Sequence, residues 1–275
     1  MKLTSKLMGA AAGLALLGGA QAALAEAHLS EITVGYFLEW PMPFQYAKVN
    51  GMYDEAMGVT INWVSFDTGT AMSAAMASGD VQLSVSQGIP PFVVATSAGQ
   101  DIQVLDVAVS YADNDNCVVA ESREIDASTA ADLAGSKVAV PLGTAAHYGF
   151  LRQMDYFGVD LGSLEVVDMA PADGDEKTEL GILVFDATTA PADFAAEEPE
   201  LVAKFLAVTA QANAMWNAGG ADAEAMLPVI AQDAGMDEGA TAETMATFVF
   251  PSVEDQLSAA WLGGNAANFM KGVAD

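Results

Sequence analysis

Apolar and polar positions alternate most regularly in residues 59–91, VTINWVSFDTGTAMSAAMASGDVQLSVSQGIPP, which read strand, loop, helix, turn, strand, loop. Val59, Ile61, Trp63, Val64 and Phe66 are β-formers at roughly every second position. Asp67, Thr68, Gly69 and Thr70 break that run and supply side chains able to cap a helix. Ala71 to Ala77, rich in Ala and Met, is the helix they open. Ser78-Gly79-Asp80 stops it and Val81 to Val85 forms the next strand. Ser86-Gln87-Gly88 then leads into Ile89-Pro90-Pro91, where proline suits the first turn of another helix. Each strand therefore delivers a loop to a helix start. The unpaired N–H groups there, with neighbouring hydroxyls, make an anion site that needs no cationic side chain.

The same rhythm runs upstream. Glu31 to Phe37 is a strand, residues 38–43 form a loop with two prolines, and Pro43 stands near the first position of a helix that runs to Val49. Two successive βαβ units predict a parallel sheet with right-handed crossovers. Ligands of such sheets sit beyond the carboxyl ends of the strands. The loops at 38–43, 67–70 and 86–88 all follow strands, so they share one edge.

Downstream, Ile102 to Val109 is a strand, and the polar stretch Tyr111 to Asn116 is the first link to a second lobe. That lobe holds a strand at Cys117 to Ala120, a short helix at Ser128 to Leu133 and a strand at Lys137 to Val140. A loop from Pro141 to Thr144, a helix from Ala145 to Phe157 and a strand from Leu164 to Met169 follow. Residues 171–181 are polar and too few for the helical crossover that parallel strands need, so the second lobe is expected to be shortened. The apolar run Ile182 to Phe185 ends at Asp186. Leu201, Phe205, Val208, Ala212 and Met215 then form the core stripe of a long helix reaching Asn217, and three shorter helical segments follow at 221–234, 237–249 and 252–262. The expected division is a signal segment at 1–25, a discontinuous first lobe at 26–111 plus 188–275, and a second lobe at 112–187.

Composition narrows the function. With 52% hydrophobic and 17% charged residues the chain can bury a core. Its 37 acidic against 9 basic residues, net −28, exclude nucleic acid and anionic lipid as partners, because phosphate neutralisation needs Lys and Arg. Lys2 and Lys6 precede an apolar run from Leu7 to Ala20 and two small-x-small sites, the pattern of a cleavable export signal, so a periplasmic protein is expected. Cys117 is the only cysteine and has no partner for an internal disulfide. His28 and His147 are the only histidines, and with one Cys they cannot build a metal site, so no metal or other cofactor is expected. Gly-x-Ser-x-Gly, His-Glu-x-x-His and the P-loop pattern do not occur, which disfavours an enzyme.

Candidate binding residues follow from these loops. The two arginines, Arg123 and Arg152, lie outside the strand-following loops. An anion would thus be held by helix starts and neutral donors, with Thr70, Gln87, Thr144 and His147 as the available side chains. Glu39 and Asp186 are acids at strand ends and suit a ligand ammonium. Trp40, in the Pro-rich loop, is placed to shield a small ligand. Each has a plainer reading as well: helix capping for Thr70 and Thr144, a solvated loop acid for Glu39 and Asp186, and packing between lobes for Trp40.

At the stretches FDTGTAMSAAMASGDVQLS (66–84), DLAGSKVAVPLGTAAHYGFL (132–151) and LVFDATTAPADFAAEEPELVAKFL (183–206), the chain resembles the substrate-binding proteins of taurine and aliphatic sulfonate ABC importers. The resemblance covers residues 31–174 and 179–270. It implies an α/β, two-lobed periplasmic-binding-protein fold of type II, with a cleft between the lobes. It further implies a monomer that captures a small sulfonate and delivers it to a membrane permease. By position, Thr70, Gln87, Thr144 and His147 would face the sulfonate and Asp186 the amine. The family carries an additional helix–strand–helix where this chain has the short link after Gly174. The alternatives left open are a binding protein for another small anion or zwitterion, and a periplasmic enzyme on the same bilobal fold.

Overall fold

In the computed structural model, residues 29–111, 119–168 and 184–274 are described. The segment 1–25 expected to be an export signal, Cys117 and the polar link at 171–181 fall outside the described residues. Strand β1 (Glu31–Tyr36) lies parallel to β2 (Thr60–Ser65) on one side and to β3 (Leu83–Gly88) on the other. The crossovers are α1 (Pro43–Val49) with α2 (Met52–Met57), and α3 (Gly69–Ala77). These are the two βαβ units expected from the alternation. Helix α4 (Ile89–Ser97) follows β3, its two prolines in the first turn where no intrahelical N–H is needed.

The rest of the main sheet departs from the parallel pattern. Strand β4 (Ile102–Tyr111) is an edge, and a later strand, β7 (Val184–Pro191), inserts between it and β3, antiparallel to both, giving the order β2-β1-β3-β7-β4. The inserted strand runs through Asp186 instead of stopping there. Its polar sequence hid it, because Asp186, Thr188 and Thr189 are all buried instead of being turned to water; the Asp186 and Thr189 side chains are hydrogen-bonded, and Thr188 donates its backbone N–H to Asp106. Residues 184–187, placed with the second lobe on the sequence, are thus the first half of a central strand of the large sheet.

Two apolar clusters support this sheet. One joins Phe44, Tyr53 and Trp63 to Phe205, Met226 and Ile230 from α7 (Pro199–Ala218) and α8 (Gly220–Ala234), the latter two preceded by α6 (Ala192–Glu197). Tyr53 stacks on Phe205 with ring centres 4.7 Å apart, and its hydroxyl shares a 2.9 Å hydrogen bond with Thr209. The predicted stripe on α7 is real, with Phe205, Val208 and Ala212 buried. The second cluster gathers Met76, Ile89, Val107 and Phe185 under α11 (Asn265–Ala274), a helix the sequence reading had not separated from the chain end; α9 (Glu238–Ala246) and α10 (Val253–Leu257) precede it.

The second lobe is small among the described residues. Strands β5 (Lys137–Val140) and β6 (Glu165–Asp168) pair in parallel, and α5 (Ala145–Phe157) covers one face. Its core is Val140, Phe150, Met154 and Val159. Lys137, Ala139, Glu165 and Val166 of the two strands are exposed. Helix α5 reaches back to the first lobe, where Tyr148 meets Phe269 edge-on at 6.2 Å.

Candidate ligand-binding cleft

The loop after β1 is fixed by one buried side chain. Gln45 accepts a hydrogen bond from the Met42 N–H at 2.8 Å and donates to the Leu38 carbonyl at 3.4 Å. This holds Trp40 edge-on to Tyr111, 5.1 Å between ring centres, and 4.7 Å from Phe248. The indole N–H of Trp40 is buried and has no hydrogen-bond partner in the structure.

The loop after β2 ends in a capped helix. The Thr68 hydroxyl accepts from the Ala71 N–H at 3.2 Å and lies 3.0 Å from the Thr70 hydroxyl. The N–H groups of Gly69 and Thr70, at the first positions of α3, precede the first intrahelical bond, which runs from Met72 to Thr68. Gly69 is the only residue type that fits: a Cβ there would stand 2.4 Å from Pro91 Cγ.

From the second lobe, α5 points its own start at the same space. Thr144 is its N-cap, accepting from the His147 N–H at 3.3 Å and donating to the Pro141 carbonyl at 2.6 Å. The N–H groups of Ala145 and Ala146 are left without an intrahelical partner. His147 Nδ1 accepts from the Gly143 N–H at 3.2 Å, folding the ring back on its own loop. Gly143 takes φ +74°, and a Cβ there would touch Thr70 Cγ2 at 3.4 Å, so the two helix starts meet across the lobes.

Between them is a cavity of about 170 Å³ lined by residues of both lobes, among them Phe37, Trp40, Gly69, Tyr111, Thr144 and Asp186. None of the lining residues is Lys or Arg. Arg123 donates to Ser136 at 2.6 Å and Arg152 is an exposed neighbour of Asp155. At the floor, Asp186 is 4% exposed; it accepts from the Ser86 hydroxyl at 2.7 Å and from the Tyr111 hydroxyl at 3.0 Å. The cleft thus presents two helix starts, partly positive, opposite one buried carboxylate, with aromatic walls between.

Of the seven residues singled out on the sequence, Trp40, Thr144 and Asp186 line this cavity. Thr70 stands at its rim, between Thr68 and Gly143. Glu39 is exposed on the same loop as Trp40 and does not line the cavity. Gln87 is fully buried, donating to Ser73 Oγ and accepting from Thr189 Oγ1, both at 2.5 Å, and does not line it either. His147 serves its own loop. Sequence reasoning missed Phe37, Tyr111 and Ser86. Tyr111 carried a signal, since it ends a strand at the link between lobes.

Among the described residues no group of three or more His, Cys, Asp or Glu is arranged to hold a metal ion. No family model matches the chain. The taurine-binding periplasmic protein of Escherichia coli K12 is 30% identical over 146 residues, 53% of this chain and 44% of that protein. A putative aliphatic sulfonates-binding protein of the same organism is 33% identical over 113 residues, 41% of this chain and 34% of that protein. The chain spans less than half the length of these curated relatives. The crystal structure of the periplasmic aliphatic sulphonate binding protein of Escherichia coli superposes with a TM-score of 0.60 at 19% identity, covering 88% of this chain and 92% of that one. The resemblance read from the sequence therefore holds, and the fold is that of the two-lobed periplasmic binding proteins.

Proposed function

We propose that this chain is a periplasmic solute-binding protein that captures taurine or a related small aminosulfonate and hands it, as a monomer, to the permease of an ABC importer. One observation carries the reading: the starts of α3 and α5, from different lobes, converge on a cleft whose floor is the buried carboxylate of Asp186. Such a cleft pairs with a small zwitterion. The first-turn N–H groups of Gly69, Thr70, Ala145 and Ala146 would hold an anionic head, with Thr144 capping the start of α5 beside them. Asp186 would hold the ammonium, and Trp40 and Tyr111 would exclude water around it. His147 acts at one remove, by fixing its own loop, and Gln87 belongs to the buried network that joins β3 to α3 and β7. A cavity of about 170 Å³ is below the usual range for drug-sized ligands, which favours a molecule of few heavy atoms. The sequence relatives named for taurine and aliphatic sulfonates agree with that chemistry. The reading is binding without turnover.

Calorimetric titration of the exported chain with taurine, ethanesulfonate and glycine tests it. Taurine is expected to bind most tightly and ethanesulfonate more weakly. Binding of glycine with no response to either sulfonate would favour the reading as a carrier of another zwitterion; silence from all three would remove the binding assignment.

A further inference from the structure

Strand β3 contains a residue in the wrong half of backbone space for its type. Ser86 has φ +64°, the left-handed region, although it is 1% exposed and lies inside a strand. Glycine is the usual occupant there, and a non-glycine residue is kept only where its surroundings over-determine it. The pairing with β7 shows what the distortion does. Ser84 faces Thr189 and Gln87 faces Ala187, so β3 spends one residue more than its partner over this stretch, a β-bulge. In a regular strand Ser84 and Ser86 would share a face, with Gln87 on the other. Here Ser84 and Gln87 both reach the Thr189 hydroxyl on one face. Ser86 is released to the opposite face, where its hydroxyl meets Asp186 Oδ2 at 2.7 Å.

We infer that Ser86, held in a left-handed bulge, is a positioning residue that fixes the Asp186 carboxylate in the cleft, and so sets the preference for ligands carrying an ammonium. The inference rests on the binding function proposed above. Ser86 holds one carboxylate oxygen while the Tyr111 hydroxyl holds the other at 3.0 Å, which pins the plane of the group. The strained backbone is the means by which a strand side chain reaches a carboxylate across the register.

The test is a pair of variants read in two ways. Ser86→Ala keeps the strain and removes the donor; Ser86→Gly removes both. Taurine affinity is expected to fall about tenfold in both, the scale of one lost hydrogen bond to a charged group, while ethanesulfonate affinity stays within about twofold. Ser86→Gly should also melt at a higher temperature than Ser86→Ala. Independently of any ligand, urea unfolding of Ser86→Ala, Asp186→Asn and the double variant should show non-additive effects. Equal losses for both sulfonates, or additive unfolding effects, would overturn the assignment. If the parent binds neither sulfonate, the proposed function falls and the unfolding cycle alone decides whether Ser86 holds Asp186.

Discussion

Asp186 and Thr144 face the same small space from different lobes, so their substitution should separate the two ends of a ligand. Asp186→Asn keeps the shape and an acceptor for one of the Ser86 and Tyr111 hydroxyls, its NH2 facing the other, while removing the charge. Taurine affinity is expected to fall by about ten- to a hundredfold, with ethanesulfonate nearly unchanged, by calorimetry. Thr144→Ala removes the cap of α5 and the hydroxyl bond that fixes the Pro141 loop, and should cost about 0.5–2 kcal/mol of stability and weaken both sulfonates alike. Gln87→Ala makes the contrast. It takes one partner each from the buried hydroxyls of Ser73 and Thr189, which keep the Gly69 carbonyl and Ser84, so it should cost about 1–3 kcal/mol of stability, seen in urea midpoints, and leave the affinity of the folded fraction intact. Parent-like stability in Gln87→Ala would mean that this buried network holds little.

At the scale of elements, the βαβ units around β1, β2 and β3 were legible because apolar alternation and capping residues speak locally. Strand β7 was only half legible. The apolar run that ends in its first two residues, Val184 and Phe185, was visible, but Asp186, Thr188 and Thr189 look like a loop until β3 and β4 supply their partners. The β3 bulge was not legible at all, since nothing in Ser84-Val85-Ser86-Gln87 marks an extra residue. That is why Gln87 was expected at the ligand and Ser86 was passed over. The seam between β4 and β7 also holds Asp106, whose carboxylate accepts from the Thr188 N–H at 3.1 Å. Burial pushes the Asp106 carboxyl above its ordinary range, outweighing the hydrogen bonds from Thr188. The fold therefore favours the protonated form. Stability from this group is fully present below the unfolded carboxyl value, about pH 4, and declines as pH rises through the higher folded value. Asp106→Asn should flatten that decline: urea midpoints between about pH 4 and pH 7 are expected to fall less in the variant than in the parent. Parallel pH profiles would show that Asp106 is charged at no cost in the folded chain.

For the molecule as a whole, the two lobes are unequal. The first has a five-stranded sheet with two apolar clusters, whereas the described part of the second has two strands, one covering helix and a core of four buried apolar side chains. So small a unit opens more easily than the large sheet, and its amides should exchange faster across β5, β6 and α5 than across β1, β3 and β7. A ligand held between the starts of α3 and α5 couples the lobes. At a concentration a hundred times its Kd it stabilises the bound form by about 2.7 kcal/mol, and that energy reaches the weaker unit only if α5 makes part of the contact. Hydrogen exchange followed by mass spectrometry with and without saturating taurine should therefore show the largest gain of protection in residues 137–168, with a smaller one at 66–72. Protection gained only around 66–72 and Asp186 would mean that the ligand rests on the first lobe alone, and α5 would drop out of the site.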